Sequence, residues 1–396
     1  MKYIVVLGDG MADKPLDALD GKTCLEAANT PNMDMIAREG ICGLAQTIPD
    51  GMNPGSDVAS LSVLGYNPAD VYTGRAPLEA ASIGVNLDDD DTAFRCNLVT
   101  IKDGKMDDYS AGHISTEEAA VLINDINAKI SDKEVSFYSG KSYRHLMVYK
   151  KRFDNVRLTP PHDISGQEVI NYIPKGEGSE LLLGLMQRAF TVLREHPINK
   201  EREKRGDKPA TDIWLWGEGT KPVIPLFKEK YGLEGSVISA VDLVKGIGIY
   251  LGFDVINVPG ATGYIDTNYE GKAKYAIEAL KNKDFLYLHI EAPDEAGHNG
   301  NLEDKVKAIE DIDSKVLSKI LNEVSSLGKF RVLLMSDHPT PIEVRTHTSD
   351  AVNFAIYGEG IESNGTKAFC EREAGNSGLF FEKGYELMEF FLKNSL

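Results

Sequence analysis

A short apolar run that passes directly into acidic residues and a histidine decides the fold; residues 285–298 read FLYLHIEAPDEAGH. An apolar run of this length, bounded by polar residues, predicts a buried strand at Phe285–Ile290. Two other runs have the same character, Lys2–Leu7 ahead of Asp9 and Arg331–Met335 ahead of Asp337. Continuous apolar strands of this kind are typical of a parallel sheet whose two faces are both covered.

Helical periodicity alternates with these strands along most of the chain. Helices are predicted at 56–64, 180–195, 243–251, 271–280 and 302–327. This alternation predicts an α/β fold with a doubly wound, mostly parallel sheet and helices on both faces. From about residue 83 this regular alternation gives way to short predicted strands around one helix at 116–129. We therefore expect a core domain of 1–82 and 166–396 and a smaller inserted α/β domain at 83–165.

Composition narrows the classes of partner. The 396 residues include 43 Lys and Arg against 61 Asp and Glu, a net charge of -18. So acidic a chain repels nucleic acids and anionic membranes, and it carries no apolar stretch long enough to cross a bilayer. An anionic small molecule would need a locally basic site. Four widely spaced cysteines without a CxxC pair predict buried free thiols and a reducing cytoplasm.

Metal-ligand residue types follow the three strands. In open parallel sheets, functional groups gather beyond the carboxyl ends of strands. Asp294 and His298 are one helical turn apart, which would place both on one face. Mixed Asp and His ligands suit Mn²⁺ or Zn²⁺ better than Ca²⁺. Singly, each residue also fits a cap or a solvated loop, but together they predict a two-metal site of Asp9, Asp294, His298, Asp337, His338 and His347.

Ser56 completes this set as the candidate nucleophile. It follows Asn53-Pro54-Gly55 and opens a predicted helix, so a plain N-cap is the alternative. The same position suits phosphate binding, because backbone N–H groups at a helix start attract anions. A nearby metal ion would lower the pKa of the Ser56 hydroxyl so that it could attack phosphorus.

These motifs resemble those of a known family. The resemblance rests on Asp9-Gly10, Gly55-Ser56-Asp57, Asp294-Glu295-Ala296-Gly297-His298, Asp337-His338 and His347, and it extends along nearly the whole chain through Thr30-Pro31-Asn32-Met33-Asp34, Leu64-Gly65-Tyr66-Asn67-Pro68, Ile114-Ser115-Thr116-Glu117-Glu118, His196-Pro197-Ile198-Asn199 and Gly260-Ala261-Thr262-Gly263. The chain looks like an archaeal-type, cofactor-independent phosphoglycerate mutase of the alkaline phosphatase superfamily.

The resemblance implies a fold, a reaction and a ligand set. One divalent ion would be held by Asp294, His298 and His347. The other would be held by Asp9, Ser56, Asp337 and His338, with Mn²⁺ expected and Zn²⁺, Mg²⁺ or Co²⁺ open. Ser56 would carry a phosphoserine intermediate while 3-phosphoglycerate and 2-phosphoglycerate interconvert. The insert at 83–165 would be a cap that closes over the substrate and excludes water.

Basic residues are the candidates for holding the anionic substrate, although each also fits a solvated surface position: Arg75, His113, Arg144, His145, His162, Lys204 and Arg205. Two regions depart from the family pattern. In the first, His113 stands where members usually have Arg, and the preceding Asp108-Tyr109-Ser110 has less Arg than members usually carry there. In the second, Gly378–Glu382 replaces a stretch usually rich in Gly and Arg. Fewer guanidinium groups would weaken the hold on a phosphate and a carboxylate. Two alternatives therefore stay open, a phosphotransferase like the homoserine kinases proposed in a bacterial branch, and a phosphatase of the same superfamily. The oligomeric state is not predicted.

Overall fold

A computed structural model describes residues 1–153 and 155–393. The strands, in chain order, are β1 (Lys2–Gly8), β2 (Ile41–Ala45), β3 (Thr92–Lys102), β4 (Lys105–Asp108), β5 (Val135–Tyr138), β6 (Arg144–Tyr149), β7 (Val156–Arg157), β8 (Lys175–Gly176), β9 (Asp212–Thr220), β10 (Gly235–Ile238), β11 (Asp254–Val255), β12 (Phe285–Ile290), β13 (Phe330–Met335), β14 (Val352–Gly358) and β15 (Phe380–Phe381). The α-helices are α1 (Cys24–Ala27), α2 (Pro31–Glu39), α3 (Ser56–Val63), α4 (Pro68–Val71), α5 (Arg75–Ser82), α6 (Thr116–Ile130), α7 (Ser179–Arg194), α8 (Pro197–Arg205), α9 (Phe227–Tyr231), α10 (Asp242–Tyr250), α11 (Tyr269–Leu280), α12 (Ala292–Asn299), α13 (Leu302–Asp311), α14 (Ser318–Val324), α15 (Glu371–Asn376) and α16 (Leu387–Lys393).

The chain divides into two compact units. The core unit comprises Met1–Tyr72 and Ile224–Leu396, and the insert unit comprises Thr73–Val223. The insert is thus larger than the expected segment 83–165. Its boundaries move outward because β9 pairs along β3, from Thr92 to Val99, and so belongs to the sheet of the insert. Helix α7 also contributes side chains to the hydrophobic core of that unit.

The core unit is built on an eight-stranded sheet with the order β11-β10-β12-β1-β13-β14-β2-β15. The strands from β11 to β13 are all parallel, whereas β14 runs antiparallel to both of its neighbours. The predicted mostly parallel sheet is confirmed. Strands β12, β1 and β13, which carry the predicted ligands at their ends, lie side by side.

Helices cover both faces of this sheet, as predicted. On one face, alternate residues of the central strands pack against α2, α11, α13 and α14 in a single buried cluster. On the other face, Phe285 of β12 meets Phe227 of α9 with ring centroids 4.5 Å apart. On that same face the Tyr287 hydroxyl donates to Ser60 Oγ of α3 at 3.1 Å. Alternation along a strand sends successive side chains to opposite faces, so one short run supplies both cores.

The insert unit is a separate α/β layer structure. Its antiparallel sheet has the order β4-β3-β6-β5, with β9 on the other side of β3. One face of the sheet packs against α6 and α7. The opposite face packs partly against α5 and partly around Trp214 and Trp216 of β9.

All four cysteines are buried and free, which confirms the prediction of unpaired thiols. Among the residues that the structure describes, no helix combines the length and apolarity needed to cross a membrane.

A buried aspartate accounts for one of the family-like motifs. Between α13 and α14 the chain widens into one π-helical segment, Ile312–Leu317. Asp313, in this segment, is fully buried and accepts hydrogen bonds from the backbone N–H groups of Asn32 and Met33 at 2.9 and 2.8 Å. It also accepts one from the Asn32 side chain at 2.8 Å. Because Thr30 makes no side-chain cap, Asp313 satisfies the free donors at the start of α2.

We expect Asp313→Ala to lower the free energy of unfolding by about 2–3 kcal/mol, because buried backbone donors lose their acceptor. The adjacent Ser314 is exposed, and Ser314→Ala should change stability by no more than about 0.5 kcal/mol. Urea unfolding followed by circular dichroism measures both. Equal midpoints for wild type and Asp313→Ala would show that this cap does not stabilise the fold.

Candidate metal centre

The three adjacent strand ends bring the predicted side chains to one place. Asp9 follows β1, Asp337 follows β13, and α12, with Asp294, begins just after β12. Gly10 keeps the strand ends close, because it has a φ of 64° and a Cβ there would lie 2.7 Å from the Asp294 Cα. Its N–H donates to Asp337 Oδ1 at 3.1 Å. Gly10 is therefore the residue that lets the first and third strand ends approach α12.

The first group of ligand-type atoms comes from α12 and a later loop. His298 Nε2 lies 3.3 Å from Asp294 Oδ2, on the same face of α12, as the four-residue spacing predicts. His347 Nε2 lies 2.9 Å from His298 Nε2 and 3.5 Å from Asp294 Oδ1. Three donor atoms thus converge on one point.

The tautomers of these histidines suit a cation. The Nδ1–H of His298 donates to the Arg345 carbonyl at 3.1 Å, and that of His347 donates to the Pro54 carbonyl at 3.3 Å. In the neutral rings, both lone pairs then sit on the Nε2 atoms that face each other. Metal-binding histidines are commonly oriented in this way through the second ring nitrogen. Without a metal, a proton takes this place, and despite burial the contacts with Asp294 raise the pKa of His298 to about 9.

The second group surrounds Ser56. Its Oγ lies 3.2 Å from Asp9 Oδ2 and 3.3 Å from His338 Nε2. His338 Nε2 is also 3.3 Å from Asp337 Oδ2 and 3.5 Å from Asp9 Oδ1. Ser56 is the first residue of α3, as predicted. All seven residues predicted for the metal site therefore lie together, and their role as ligands stays a prediction.

The electrostatics of this cluster call for positive charge. Burial, followed by repulsion from Asp337 and Asp294, raises the pKa of Asp9 well above its usual value. Burial would also raise the pKa of Asp294, but the contacts with His298 and His347 hold it well below the usual range. Two buried carboxylate oxygens, Asp9 Oδ1 and Asp337 Oδ2, have no hydrogen-bond partner. Divalent cations fit these residues, since a cation supplies the missing partner for such oxygens.

Sequence reasoning missed the groups that orient the ligands. Thr340 donates from Oγ1 to Asp294 Oδ1. Lys305 is fully buried, forms an ion pair with Asp13 at 2.7 Å and donates to the carbonyls of Ala12 and Thr340. It thereby joins the loop after Asp9 to the loop after His338. In the sequence Lys305 lies on an amphipathic helix, where a lysine ordinarily predicts an exposed side chain.

His289 is a further residue that the motifs did not reveal. It lies within β12, opposite Leu7 of β1, and is fully buried. Its Nε2 is 3.0 Å from Asp9 Oδ2, and it forms a third possible ligand group with Asp9 and Asp337. Burial lowers the pKa of His289 to about 4, so its ring is neutral. A histidine inside an apolar run is usually a core residue, and only the strand register places it beside Asp9.

In the insert unit, four of the seven predicted substrate residues lie among aromatic rings and arginines. The His113 and Tyr143 ring centroids are 6.1 Å apart, and those of His162 and Trp216 are 5.1 Å apart. Tyr109 links these pairs, 5.8 Å from Tyr143 and 6.1 Å from His162. The guanidinium of Arg144 lies 5.4 Å from the Tyr143 ring centroid.

Arg95, which was not predicted as a substrate residue, lies beside the same group of aromatic rings. Its guanidinium lies 4.1 Å from the Trp216 ring centroid, and its Nε is 3.0 Å from Glu79 Oε2. Burial lowers the pKa of Arg95, the Glu79 carboxylate opposes that shift, and Arg75 and Arg144 are close enough to lower it further. The positive charges of Arg75 and Arg144 therefore each act on Arg95.

The other three predicted substrate residues lie elsewhere. His145 is buried opposite Cys96, on the side of the sheet that faces α6 and α7, where burial lowers its pKa to about 3. Lys204 is exposed and pairs with Glu201. Arg205 pairs with Glu118 and Asp207, and it lines a cavity that His113 also borders.

Known proteins are similar to this chain in sequence and fold. Residues 37–199 match a family described as 2,3-bisphosphoglycerate-independent phosphoglycerate mutase. A relative from Methanosarcina acetivorans with that name is 52% identical over 99% of this chain and 100% of its own length. A relative from Geobacter sulfurreducens, named a probable enzyme of the same kind, is 53% identical with the same coverage. The solved structure of a Pyrococcus horikoshii protein matches 100% of this chain and 98% of its own, with 34% identity and a TM-score of 0.85.

These names do not favour the homoserine kinase alternative, since the mutase name belongs to relatives that align from end to end. About half of the residues are identical between this chain and full-length proteins with that name. The chain therefore belongs to the 2,3-bisphosphoglycerate-independent phosphoglycerate mutase family.

Proposed function

We propose that this enzyme interconverts 3-phosphoglycerate and 2-phosphoglycerate through a phosphoserine at Ser56. The observation that carries the proposal is the position of Ser56 Oγ, within 3.3 Å of both Asp9 and His338 and at the start of α3. A serine that only capped the helix would not need two ligand-type side chains at its hydroxyl. We place the reaction in glycolysis and in the cytoplasm, where the free thiols fit a reducing environment.

The residues of the metal centre have different roles in the proposed reaction. Asp294, His298 and His347 would hold one divalent ion, and Asp9, Ser56, Asp337 and His338 the other, with Mn²⁺ as our choice for mixed Asp and His ligands. When bound, the two ions neutralise phosphoryl oxygens and lower the pKa of the Ser56 hydroxyl. Asp9 Oδ2 accepts the hydrogen bond of that hydroxyl and orients its lone pairs. The first backbone N–H groups of α3 add a site for phosphoryl oxygens.

Two transfers then give the isomerisation. In the first, a bond forms between Ser56 Oγ and phosphorus as the bond from phosphorus to the 3-oxygen of the substrate breaks; Ser56 loses its proton and the 3-oxygen gains one. In the second, the 2-hydroxyl oxygen of the bound glycerate loses its proton and bonds to phosphorus as the bond to Ser56 Oγ breaks, and Ser56 regains a proton. We propose that the insert unit contributes Arg75, Arg144, His113 and His162 to binding of the anionic substrate. The buried position of His145 removes it from this set.

The function is tested by incubating the Mn²⁺-loaded enzyme with 3-phosphoglycerate. We expect 2-phosphoglycerate to accumulate to an equilibrium ratio without release of inorganic phosphate. Free phosphate as the main product would instead indicate a phosphatase. Phosphorylation of homoserine from ATP, with no conversion of 3-phosphoglycerate, would contradict the mutase assignment.

Ser56→Ala should lower kcat by roughly 10⁴-fold or more, because the attacking oxygen is lost. The bound metal should largely remain, since Asp9, Asp337 and His338 are unchanged. Ser62 is a matched control, since it is buried in the same helix and its Oγ has no hydrogen-bond partner. Ser62→Ala should keep the wild-type rate. Acid quenching followed by mass spectrometry should find phosphate on Ser56 of the wild type, and a fully active Ser56→Ala enzyme would exclude this nucleophile.

Removing the metal should destabilise the core unit, because buried carboxylates then repel one another. At a free metal concentration about 1,000 times Kd, binding contributes about 4 kcal/mol, so a chelator should lower Tm by roughly 5–15 °C. Adding Mn²⁺ should restore the original Tm in differential scanning fluorimetry. An Asp337→Asn variant should show a smaller response to the chelator. A wild-type Tm that is indifferent to both chelator and Mn²⁺ would argue against the site.

Arg144→Ala should lower kcat/KM for 3-phosphoglycerate by about 10–100-fold, mainly through KM, because one charge-assisted hydrogen bond contributes about 1.5–3 kcal/mol. Arg194 is the control, because it is an exposed arginine of the same unit whose nearest acidic partner is the exposed Glu195. Arg194→Ala should leave both constants unchanged. Steady-state kinetics in which the two variants behave alike would remove Arg144 from substrate binding.

A further inference from the structure

His289 differs from the other buried histidine of the core unit, His338, in that no family motif accounts for it. It occupies the fifth position of β12, has no exposed surface, and lies at the level where the neighbouring strand β1 ends. A buried imidazole needs partners for both ring nitrogens. Its Nδ1 has one in Ser239, but its Nε2 has no hydrogen-bond partner.

Ser239 fixes the orientation of the ring. It follows β10 directly, and its Oγ accepts the N–H of Val241 at 3.0 Å. The same oxygen lies 3.2 Å from His289 Nδ1. A hydroxyl can accept the Nδ1–H or donate to Nδ1, and when it accepts, the lone pair of the ring is on Nε2. His298 and His347 are oriented in the same way, with Nδ1 tied to a carbonyl and Nε2 facing the acidic groups.

The Nε2 atom lies beside two carboxylates, each of which has one oxygen without a partner. It is 3.0 Å from Asp9 Oδ2, yet this pair does not have the alignment of a hydrogen bond, since Nε2 is without a partner. Asp9 Oδ1 and Asp337 Oδ2 are likewise buried and unpaired. One donor atom from each of His289, Asp9 and Asp337 lies within 4.8 Å of the others.

A shared cation explains this arrangement. Two ligand atoms about 2.0–2.2 Å from one ion and at right angles to each other are about 2.9 Å apart, close to the observed spacing of His289 and Asp9. An imidazole lone pair and a carboxylate oxygen at that distance repel each other unless a cation or a proton lies between them. We propose that His289 is a further ligand of the cation held by Asp9 and Asp337, and that Ser239 orients it.

Four adjacent strands then build one coordination site. Ser239 follows β10, His289 lies in β12, Asp9 follows β1 and Asp337 follows β13, in the order in which these strands lie in the sheet. The competing role for His289 is that of a positioning residue that only donates a hydrogen bond to Asp9. The two roles require different atoms at position 289 if metal binding is to be preserved. A ligand needs a lone pair that faces the cation, whereas a positioning residue needs an N–H that faces Asp9.

The test measures metal binding rather than turnover. Apo-protein is titrated with Co²⁺, and the bound ions are counted by equilibrium dialysis while the visible absorption reports the ligands. Wild type should bind two ions. His289→Phe, which removes both ring nitrogens at similar volume, should weaken one of the two by at least about 10-fold and alter its absorption. Ser239→Ala keeps the imidazole but removes the acceptor of its Nδ1–H, and it should weaken the same ion by about 10-fold.

The controls separate ligation from positioning and from misfolding. His196→Gln alters a buried histidine of the insert unit, paired with Asp125 at 3.1 Å, and should bind two ions with the wild-type spectrum. His289→Gln offers an N–H and an amide oxygen but no ring nitrogen, and exchange of a nitrogen ligand for oxygen alters the absorption. An unchanged Co²⁺ absorption together with full affinity in this variant would therefore overturn the ligand role. So would unchanged Co²⁺ binding and absorption in His289→Phe. Circular dichroism of the chelated proteins checks folding, and if His289→Phe fails to fold, an unchanged Ser239→Ala overturns the proposal.

This inference rests on the metal centre of the proposed function and not on the reaction. A wild-type protein that binds two ions but does not convert 3-phosphoglycerate would contradict the mutase proposal and leave the Co²⁺ experiment valid. Conversely, suppose that wild type interconverts the two phosphoglycerates while the His289→Phe variant binds Co²⁺ as wild type does. That result would support the mutase proposal and contradict the role of His289 as a ligand.

Discussion

Repulsion among buried carboxylates is the constraint on which the rest of the core unit depends. Asp9, Asp294 and Asp337 lie together with almost no exposure to water, and the pKa of Asp9 is raised because burial and the other two disfavour its charge. The surrounding fold orients all three carboxylates, but only Asp294 has its charge stabilised, by His298 and His347. Thr340 donates a hydrogen bond to Asp294, and the Gly10 N–H donates one to Asp337. Lys305 forms its ion pair with Asp13 and not with these carboxylates. Two carboxylate oxygens and one ring nitrogen are left for a cation to satisfy.

The parallel sheet explains why the sequence predicted so much of this centre. Each of the three strands was predicted from a short apolar run that is followed by Asp or by α12, so that its carboxyl end faces the site. The observed bounds of β1, β12 and β13 lie within one residue of the predicted bounds. The seven residues named from these strand ends and from the neighbouring motifs lie together. They lie close together because β12, β1 and β13 are adjacent in the sheet. The alternation of strands and helices predicts a parallel sheet, but it does not predict the order of the strands within it.

What the sequence did not predict depends on pairing between distant segments. His289 is one letter in an apolar run, and only its register against Leu7 places it beside Asp9. Strands β2 and β14 were also missed. Strand β2 is short and contains Gly43, whereas β14 has an apolar run, at 352–357, that was overlooked. Strand β14 pairs antiparallel with both β13 and β2. The insert was predicted too small because β9 resembles any buried strand until it pairs with β3. Arg95 was missed for a related reason, since an arginine within a strand gives no sign of lying over Trp216.

The strand order also has a consequence for biosynthesis. Strand β1 is translated before the other strands of its sheet, yet in the finished sheet it is flanked by β12 and β13, which are translated only after residue 284. Its apolar side chains must therefore wait through the synthesis of more than half the chain, while Thr73–Val223 has all its own strands and helices available. Because domains fold as units and long-range parallel pairing is slow, the nascent chain should complete the insert first. Until β12 and β13 are made, the apolar side chains of Lys2–Gly8 lack their sheet partners, which leaves this segment open to premature association during synthesis.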